Sequence, residues 1–215
     1  ADGVLVVTPY YSRPSQAGLD AHFRAVAAAT TLPVLLYDIP VRTGRKIAHE
    51  TMVGLARQVP NIVGVKDAAG DVVATSRLIA ELGDSFEVYC GDDALTVALV
   101  SVGAVGLISV ASHWAGPELA ELLGALAKGD ALAAQAVNQR LLESYAFEST
   151  EAFPNPLPAK AACRVLGLPA GQCRLPLGPA PASLEDGARA VLAALGRPRP
   201  LGAAGGTGTS GGPVG

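Results

Sequence analysis

Lys66 is the residue of this sequence whose position best fits a chemical role. It ends a short apolar run that begins at Asn61 and has the character of a buried β-strand. Burial disfavours the charged form of an ammonium group and lowers its pKa toward the range in which the neutral amine attacks a carbonyl carbon. The sequence therefore makes Lys66 a candidate for Schiff-base chemistry.

Polar residues also follow the other apolar runs. Tyr10 and Tyr11 come after the first run, Tyr37 ends the second, Asp92 follows the fourth, and Ser109 lies near the end of the fifth. Barrel enzymes build their active sites from the C-terminal ends of several parallel strands. This distribution of polar residues favours a barrel enzyme with Lys66 at one of its strand ends.

The elements that must position these residues are short apolar runs that alternate with helical patterns. The runs are almost continuously apolar, which is typical of strands buried on both faces of a parallel sheet. Between them, apolar residues recur at three- and four-residue spacing, as in amphipathic helices. The predicted strands are Val4–Val7, Val34–Tyr37, Ile62–Val65, Phe86–Tyr89 and Val105–Val110, and the predicted helices are Leu19–Ala29, Thr51–Arg57, Val72–Leu82, Ala94–Val102 and Glu118–Ala127.

Open doubly wound sheets and (β/α)8 barrels both produce this alternation, and periodicity does not choose between them. The polar strand ends favour the barrel, and no GxGxxG or P-loop pattern follows the first strand. We predict an α/β fold in which residues 1–129 form part of a barrel and residues 130–196 form a C-terminal helical subdomain. Residues 197–215 are rich in Gly and Pro, and we predict that they are disordered.

The composition argues against several classes of protein. A net charge of −3 without a Lys/Arg cluster argues against a nucleic-acid partner. No apolar stretch reaches the roughly 20 residues that cross a bilayer, so we expect no membrane partner and a cytoplasmic location. The cysteines are odd in number and form no CxxC pair, which predicts free thiols and no zinc site. Because the sequence enters a strand directly after Ala1-Asp2-Gly3, we expect the chain to begin inside a fold.

Six motifs together resemble the dihydrodipicolinate synthase family, and they occur in that family's order from the first residue to about Leu195. The chain is identified as a member of this family within the wider superfamily of pyruvate-dependent aldolases and lyases. The motifs are VTPYYSRPSQAGLDAHF (7–23), LLYDIPVRTG (35–44), NIVGVKDAAGD (61–71), YCGDDAL (89–95), GAVGLISV (103–110) and PNPLPAK (154–160).

The resemblance implies a (β/α)8 TIM barrel followed by three C-terminal helices, assembled as a dimer of dimers. It implies that this chain holds only about strands 4–8, because the TPYY segment ends the fourth strand in the family. A Gly-Thr-Thr-Gly-Glu-like segment, which in the family binds the keto-acid carboxylate and supplies a threonine to a proton relay, has no counterpart here. We therefore expect the chain alone to lack part of its active site.

The resemblance also implies an activity. Lys66 matches the lysine that condenses with pyruvate to an imine and then an enamine, which adds to the aldehyde of L-aspartate 4-semialdehyde. The product cyclises to 4-hydroxy-tetrahydrodipicolinate, the entry step to diaminopimelate and lysine biosynthesis. Tyr37 matches the tyrosine that passes protons at the imine and aldol stages, and Tyr11 matches a second tyrosine that reaches in from the neighbouring subunit. No cofactor and no metal are implied.

Three further residues match substrate-binding positions. Arg42 matches the arginine that binds the carboxylate of the second substrate, and its planar guanidinium suits that task. Gly91 and Ile108 match positions that line the substrate cavity. We interpret Asp92 and Asp93 as helix caps, since two carboxylates without a third ligand make a poor cation site.

Two other functions remain open from the sequence. The chain could be a different aldolase or dehydratase of the superfamily that acts on a sugar-derived keto acid. It could also be a catalytically incomplete fragment that binds small ligands without turnover. An opened barrel exposes strand edges and core surface, so we expect this segment alone to be unstable or to self-associate.

Overall fold

The computed structural model describes residues 1–197, which form two compact units. The first comprises Ala1–Ser112 and Gly116–Leu142, and the second comprises His113–Ala115 and the described chain from Glu143 onward. The predicted domain boundaries after residues 129 and 196 stay predictions. From residue 198 onward, the tail that we predicted to be disordered lies outside the described residues.

Five parallel strands form one sheet in the first unit, and their order in the sheet is their order in the chain. Crossovers between parallel strands are right-handed, so a strand order that never reverses places the helices on one face, as in the arc of a barrel. A doubly wound sheet reverses its order instead. The predicted fold class is therefore confirmed. The strands are β1 (Val4–Val7), β2 (Val34–Asp38), β3 (Ile62–Asp67), β4 (Glu87–Cys90) and β5 (Gly106–Leu107).

Helices follow each strand, with capping residues that fit their ends. The Ser15 side chain accepts a hydrogen bond from the Gly18 amide, and Asp71 caps its helix by accepting from the Ala74 amide. The helices are α1 (Gln16–Ala28), α2 (Pro40–Thr43), α3 (His49–Gln58), α4 (Val72–Leu82), α5 (Thr96–Ser101), α6 (Ser112–Ala127, kinked at Ala115), α7 (Ala131–Glu148), α8 (Leu157–Val165) and α9 (Ala182–Ala194), with 3-10 turns at Gly83–Ser85 and Asp93–Leu95.

Burial alternates along the strands of this sheet. Leu36 and Val65 are almost completely buried against the helices, whereas Leu5 of β1 points to the other face and is 44% exposed. The prediction that the strands are buried on both faces is therefore wrong for β1, whereas consecutive residues of β3, from Gly64 to Asp67, are all buried. The apolar run of the sequence is continuous, but the helices cover one face of the sheet.

The pairing of β2 with β3 contains a bulge. Val34 pairs with Ile62, but the next residue of β2 pairs with Gly64, so Val63 is an extra residue in β3. A Cβ atom on Gly64 would lie 2.3 Å from a backbone carbonyl oxygen of β4, so only glycine fits there. Beyond the bulge the register brings Tyr37 opposite Lys66.

The fifth strand is shorter than the predicted Val105–Val110, because the chain leaves the ladder after Leu107. The Ser109 hydroxyl and the Val110 amide donate hydrogen bonds to the carboxylate of Asp93, the second over 2.8 Å. The Ile108 amide still bonds to the Cys90 carbonyl oxygen at the end of β4, and the residues after Ile108 bind Asp93 in place of a strand partner.

The second unit has its own small core, formed by α8, α9 and the segment between them. Leu157 and Leu184 are buried there, and Arg164 forms a 2.9 Å ion pair with Glu185. The three cysteines of the chain are free thiols, as predicted. Over residues 1–197, no helix has both the length and the apolar character that crossing a membrane requires.

Candidate active site

Lys66 and Tyr37 lie side by side on the face of the sheet that points away from the helices. They are register partners on β3 and β2. Lys66 is only 8% exposed, and its Nζ lies 4.4 Å from the centroid of the Tyr37 ring. An ammonium group at this distance over an aromatic ring makes a cation–π contact. The structure thus brings the candidate nucleophile and the candidate proton donor into direct contact.

The backbone of Tyr37 is fixed by hydrogen bonds, and its side chain is partly buried. The amide and the hydroxyl of the fully buried Thr8 both donate to the Tyr37 carbonyl oxygen, each over 3.0 Å. Burial raises the pKa of the Tyr37 phenol above its usual value, and the positive charge of Arg42 opposes that rise. Because the raising effect is the larger one, the phenol is protonated near neutral pH and can donate a hydrogen bond.

Gly91 forms the wall against which the lysine side chain lies. A Cβ atom at Gly91 would approach Cγ of Lys66 to 2.9 Å and its Cε to 3.0 Å, which real Cβ atoms essentially never do. The Gly91 amide donates to the carbonyl oxygen of Asp67 over 2.7 Å, which fixes this close approach. The position of the lysine stem therefore depends on the missing side chain of Gly91.

Ile108 lies beside this wall, directly after β5. Its amide donates to the carbonyl oxygen of Cys90 over 2.9 Å, so the chain stays next to the end of β4 at this point. Just beyond it, the buried carboxylate of Asp93 accepts from Ser109 and from the Val110 amide. Asp93 thereby fixes the loop between β5 and α6 in which Ile108 lies.

The predicted capping role is correct for Asp92 and wrong for Asp93. The Asp92 side chain accepts from the Ala94 amide over 3.1 Å, as a cap does. Asp93 is completely buried and binds residues sixteen or more positions away. Ser109, a small polar residue directly after an apolar run, was the only sequence signal for this contact.

Arg42 lies on α2, the single turn of helix that follows β2. Pro40 occupies the first turn of α2, and Gly44 ends it with a φ of 70°, a conformation that glycine adopts without strain. This short helix carries the exposed guanidinium of Arg42 close enough to Tyr37 for its charge to act on the phenol.

The structure does not bring Tyr11 to Lys66. Tyr11 is 95% exposed and has a φ of 63°, in the left-handed region that non-glycine residues rarely adopt. Of the predicted site residues, Lys66, Tyr37 and Gly91 are in contact, Arg42 and Ile108 lie on adjoining loops, and Tyr11 projects into solvent.

Sequence reasoning missed Tyr89, the neighbour of Lys66 on its other side. The two residues are register partners on β4 and β3 and therefore share one face of the sheet. The Tyr89 hydroxyl donates to Glu87 over 2.6 Å, and this contact raises the pKa of the Tyr89 phenol. The signal was available, since Tyr89 ends a predicted strand next to that of Lys66.

Two buried carboxylates lie behind the site, on the helix-covered face. Asp38 is 3% exposed; its carboxylate accepts from the Ile47 amide over 3.2 Å and lies 3.9 Å from the Lys46 ammonium. Burial raises the pKa of the Asp38 carboxyl to about 6, against the lowering effects of Ile47 and Lys46. Asp67 accepts from the Thr75 hydroxyl over 2.5 Å. Within residues 1–197, no group of three or more His, Cys, Asp or Glu side chains could hold a metal ion.

The sequence of this chain is similar to those of one family of known proteins. The model of the family described as "Dihydrodipicolinate synthetase family" matches residues 1–195. The 4-hydroxy-tetrahydrodipicolinate synthase of Bacillus subtilis is 45% identical over 178 residues, which are 83% of this chain and 61% of that protein. The chain spans about three fifths of the length of the curated relatives that it matches.

Solved structures of similar proteins have the same fold. The dihydrodipicolinate synthase from Cyanidioschyzon merolae, solved with lysine bound, is 42% identical with a TM-score of 0.86, over 91% of this chain and 65% of that one. The chloride-inhibited dihydrodipicolinate synthase from Acinetobacter baumannii, solved in complex with pyruvate, is 38% identical with a TM-score of 0.83, over 91% of this chain and 66% of that one.

Proposed function

This chain belongs to the dihydrodipicolinate synthetase family, and from that membership we propose that its protein condenses pyruvate with L-aspartate 4-semialdehyde to give 4-hydroxy-tetrahydrodipicolinate. The Lys66 amine adds to the keto carbon of pyruvate, water leaves, and an iminium ion forms. Loss of a methyl proton gives the enamine, whose carbon attacks the aldehyde carbon of the second substrate. Ring closure of the product releases the lysine.

One observation carries this proposal. Lys66 is only 8% exposed, and its Nζ lies 4.4 Å from the centroid of the Tyr37 ring, which carries a hydroxyl group. An iminium ion at this nitrogen is a cation, so the face of the Tyr37 ring stabilises it as it forms. Such a cation withdraws electrons from the neighbouring carbon, which makes loss of a methyl proton feasible near neutral pH.

The phenol of Tyr37 serves as the proton donor and acceptor. Its pKa, raised by burial, keeps it protonated at neutral pH, so it can donate to the oxygen that leaves pyruvate as water. A phenol with a raised pKa is a poor base by itself, and it therefore needs a relay partner to pass the proton onward. Tyr11 of a neighbouring subunit is the partner that we propose.

The exposure and backbone strain of Tyr11 support that role. The Tyr11 side chain is 95% exposed, so its aromatic ring is not buried within its own chain. Its backbone has a positive φ, and residues with strained backbones concentrate at functional sites. Insertion of Tyr11 into the site of a second copy would bury this surface. We propose that the protein is a homo-oligomer of this kind, a dimer of dimers.

Arg42 supplies the binding site for the second substrate. It is exposed at the mouth of the site, on the loop that follows Tyr37, where a guanidinium can bind the carboxylate of aspartate semialdehyde through two hydrogen bonds. Gly91 and Ile108 shape the wall beside the lysine. The expected cytoplasmic location stays a prediction.

The test is to trap the imine in the complete natural protein. The protein is incubated with pyruvate, reduced with borohydride, digested, and analysed by peptide mass spectrometry. We expect the reduced adduct on the peptide that contains Lys66, and no adduct in the Lys66→Arg variant, which keeps the charge but cannot form an imine.

The matched control is Lys128→Arg, which makes the same substitution at an exposed lysine at the end of α6. It should trap pyruvate like the wild type. An unlabelled Lys66, or a label at Lys46 instead, would refute the proposed function. Formation of the ring product from pyruvate and aspartate semialdehyde then decides between this activity and a sugar-acid aldolase.

A further inference from the structure

The two loops that carry Tyr11 and Arg42 are joined to each other by side-chain hydrogen bonds. The tyrosine loop runs from Thr8 to Ser15 between β1 and α1, and the arginine loop runs from Ile39 to Ala48 between β2 and α3. Four hydrogen bonds connect the tyrosine loop, together with the adjoining Gln16, to the arginine loop, and donors lie on both sides. Each bond joins residues that are 30 to 32 positions apart in the sequence. None of the roles assigned above uses these contacts.

The first pair of bonds involves Arg13 and the end of α2. Arg13 Nε donates to the carbonyl oxygen of Gly44 over 2.9 Å, and Arg45 donates back to the carbonyl oxygen of Arg13 over 2.9 Å. Gly44 allows this approach, because a Cβ atom there would lie 3.1 Å from Arg13 Nε. The contact is therefore built from one arginine of each loop and one glycine.

The second pair involves a single amide side chain. Gln16, the first residue of α1, donates to the carbonyl oxygen of Lys46 and accepts from the amide of Ala48, both over 2.9 Å. Both groups of the Gln16 amide are thus satisfied by the backbone of the arginine loop. Since Ala48 is the N-cap residue directly before α3, Gln16 also fixes the start of that helix.

The tyrosine loop has a strained backbone at Tyr11 and at Arg13. Among residues 1–197, Tyr11 and Arg13 are the only non-glycine residues with positive φ, at 63° and 47°. Such conformations persist only where the surroundings over-determine them. The hydrogen bonds to the arginine loop hold Arg13, and at Tyr11 the Ser12 amide donates to the Tyr10 carbonyl oxygen over 2.7 Å and closes a tight turn.

We propose that Arg13 and Gln16 are positioning residues that fix the tyrosine loop to the arginine loop, so that the proton-relay tyrosine and the carboxylate-binding arginine are held as one unit. This inference rests on the proposed function for the roles of Tyr11 and Arg42. If Tyr11 acts in the site of a neighbouring copy, the same contacts link the aldehyde-binding arginine of one site to the proton relay of the next.

The experiment compares the variants Arg13→Ala, Arg13→Lys and Gln16→Ala with the wild type in the complete natural protein. Amide hydrogen exchange is measured over residues 9–12 and 42–46. We expect Arg13→Ala to raise the amide exchange rate about tenfold in both segments, because the substitution removes the hydrogen bond from Arg13 Nε to Gly44 and loosens both loops. Arg13→Lys keeps a donor and should give an intermediate rise.

Steady-state kinetics provide the readout that a purely structural role would not change. We expect Arg13→Ala to lower kcat and raise the KM for the aldehyde, with about a tenfold loss of kcat/KM, because small misplacements of catalytic groups are costly. The KM for pyruvate and the trapping of pyruvate at Lys66 should stay within about twofold of wild type. Gln16→Ala should act in the same direction if Arg13→Ala does not fold.

The matched control is Arg24→Ala, an arginine of α1 whose hydrogen bonds to Asp20 and Gln58 do not touch either loop. This variant should leave the amide hydrogen exchange of both segments and the steady-state kinetics of the protein unchanged. Faster exchange over 9–12 alone, or wild-type kinetics with both loops loosened, would overturn the inference. If the wild type traps no pyruvate, the proposed function fails, while the exchange measurement still decides whether the two loops are joined.

Discussion

The two faces of the parallel sheet use neighbouring residues of the same strands for different purposes. On the helix-covered face, Leu36 and Val65 are packed with almost no exposure. The next residues along each strand, Tyr37 and Lys66, point to the opposite face, where they are in contact and form the pair that we propose to be reactive. Because side chains alternate along a strand, packing and chemistry are separated by a single residue. Stability and activity should therefore respond separately to adjacent substitutions.

The largest expected effect is on the packed face. Leu36→Ala removes a side chain with 0% exposure from the centre of the core, and we expect the free energy of unfolding to fall by about 3 kcal/mol. Urea unfolding of the complete protein measures it. Trapping of pyruvate at Lys66 should persist under native conditions, because Leu36 does not face the site.

The control for this prediction is Val73→Ala on α4, an apolar truncation at a residue that is 71% exposed. It should change the unfolding free energy by less than about 0.5 kcal/mol. If Leu36→Ala abolished trapping in protein that remained folded, the separation of the two faces would be wrong.

The next effect is on the reactive face. Gly91→Ala places a methyl group within 3.0 Å of two carbons of the Lys66 side chain, so the lysine must move. We expect pyruvate trapping to slow by about 100-fold, which corresponds to about 2.7 kcal/mol. Quench time courses with borohydride give the rate.

Gly54→Ala is the matched control, since a Cβ atom at this position in α3 would meet nothing within 4 Å. That variant should trap pyruvate normally and gain up to about 1 kcal/mol of stability from its higher helix propensity. Normal trapping in Gly91→Ala would show that the lysine does not need the glycine wall.

The smallest effect concerns Asp38, the polar exception on the packed face. Its pKa in the folded protein is about 6, above the ordinary value of a carboxyl group, so the folded state binds this proton more tightly than the unfolded chain. Its contribution therefore favours folding at low pH and is lost as the pH rises from about 4 to about 6, by about 1.4 kcal/mol for each unit by which the pKa is raised. Asp38→Asn should remove this loss, as urea unfolding at several pH values would show.

The same substitution at the exposed Asp84 is the control for that experiment, and it should leave the pH dependence of the wild type in place. If Asp38→Asn and the wild type lost stability in parallel between pH 4 and 6, the burial of Asp38 would not be the cause.

The sequence predicted those elements and contacts that depend on local pattern. The bounds of β1 and α4 agree with the prediction residue by residue, because capping and periodicity are local signals. Lys66 is buried near the end of its strand, as predicted, although β3 extends to Asp67 and the predicted strand stopped at Val65. The resemblance to a family supplied the remaining site residues, and their roles stay proposals.

What the sequence could not predict depends on residues far apart in the chain. Asp93 contacts the loop after β5, and Arg13 contacts the loop after β2, and neither spacing has a periodic signature. The early end of β5 was missed for the same reason, because Ser109 and Val110 bind the carboxylate of Asp93, which lies sixteen and seventeen residues earlier in the chain. The exposure of the second sheet face was missed because an apolar sequence does not determine whether other elements cover one face of the strand or both.

The bulge at Val63 decides on which side of the sheet the amine lies. If Val63 paired regularly with Leu35 and no bulge formed, Tyr37 would pair with Val65, and Lys66 would pair with Asp38 on the helix-covered face. There the ammonium would be sealed from any substrate by apolar side chains. The bulge thus takes up one residue of β3, so that Lys66 faces the same side of the sheet as Tyr37 and not the side of Asp38.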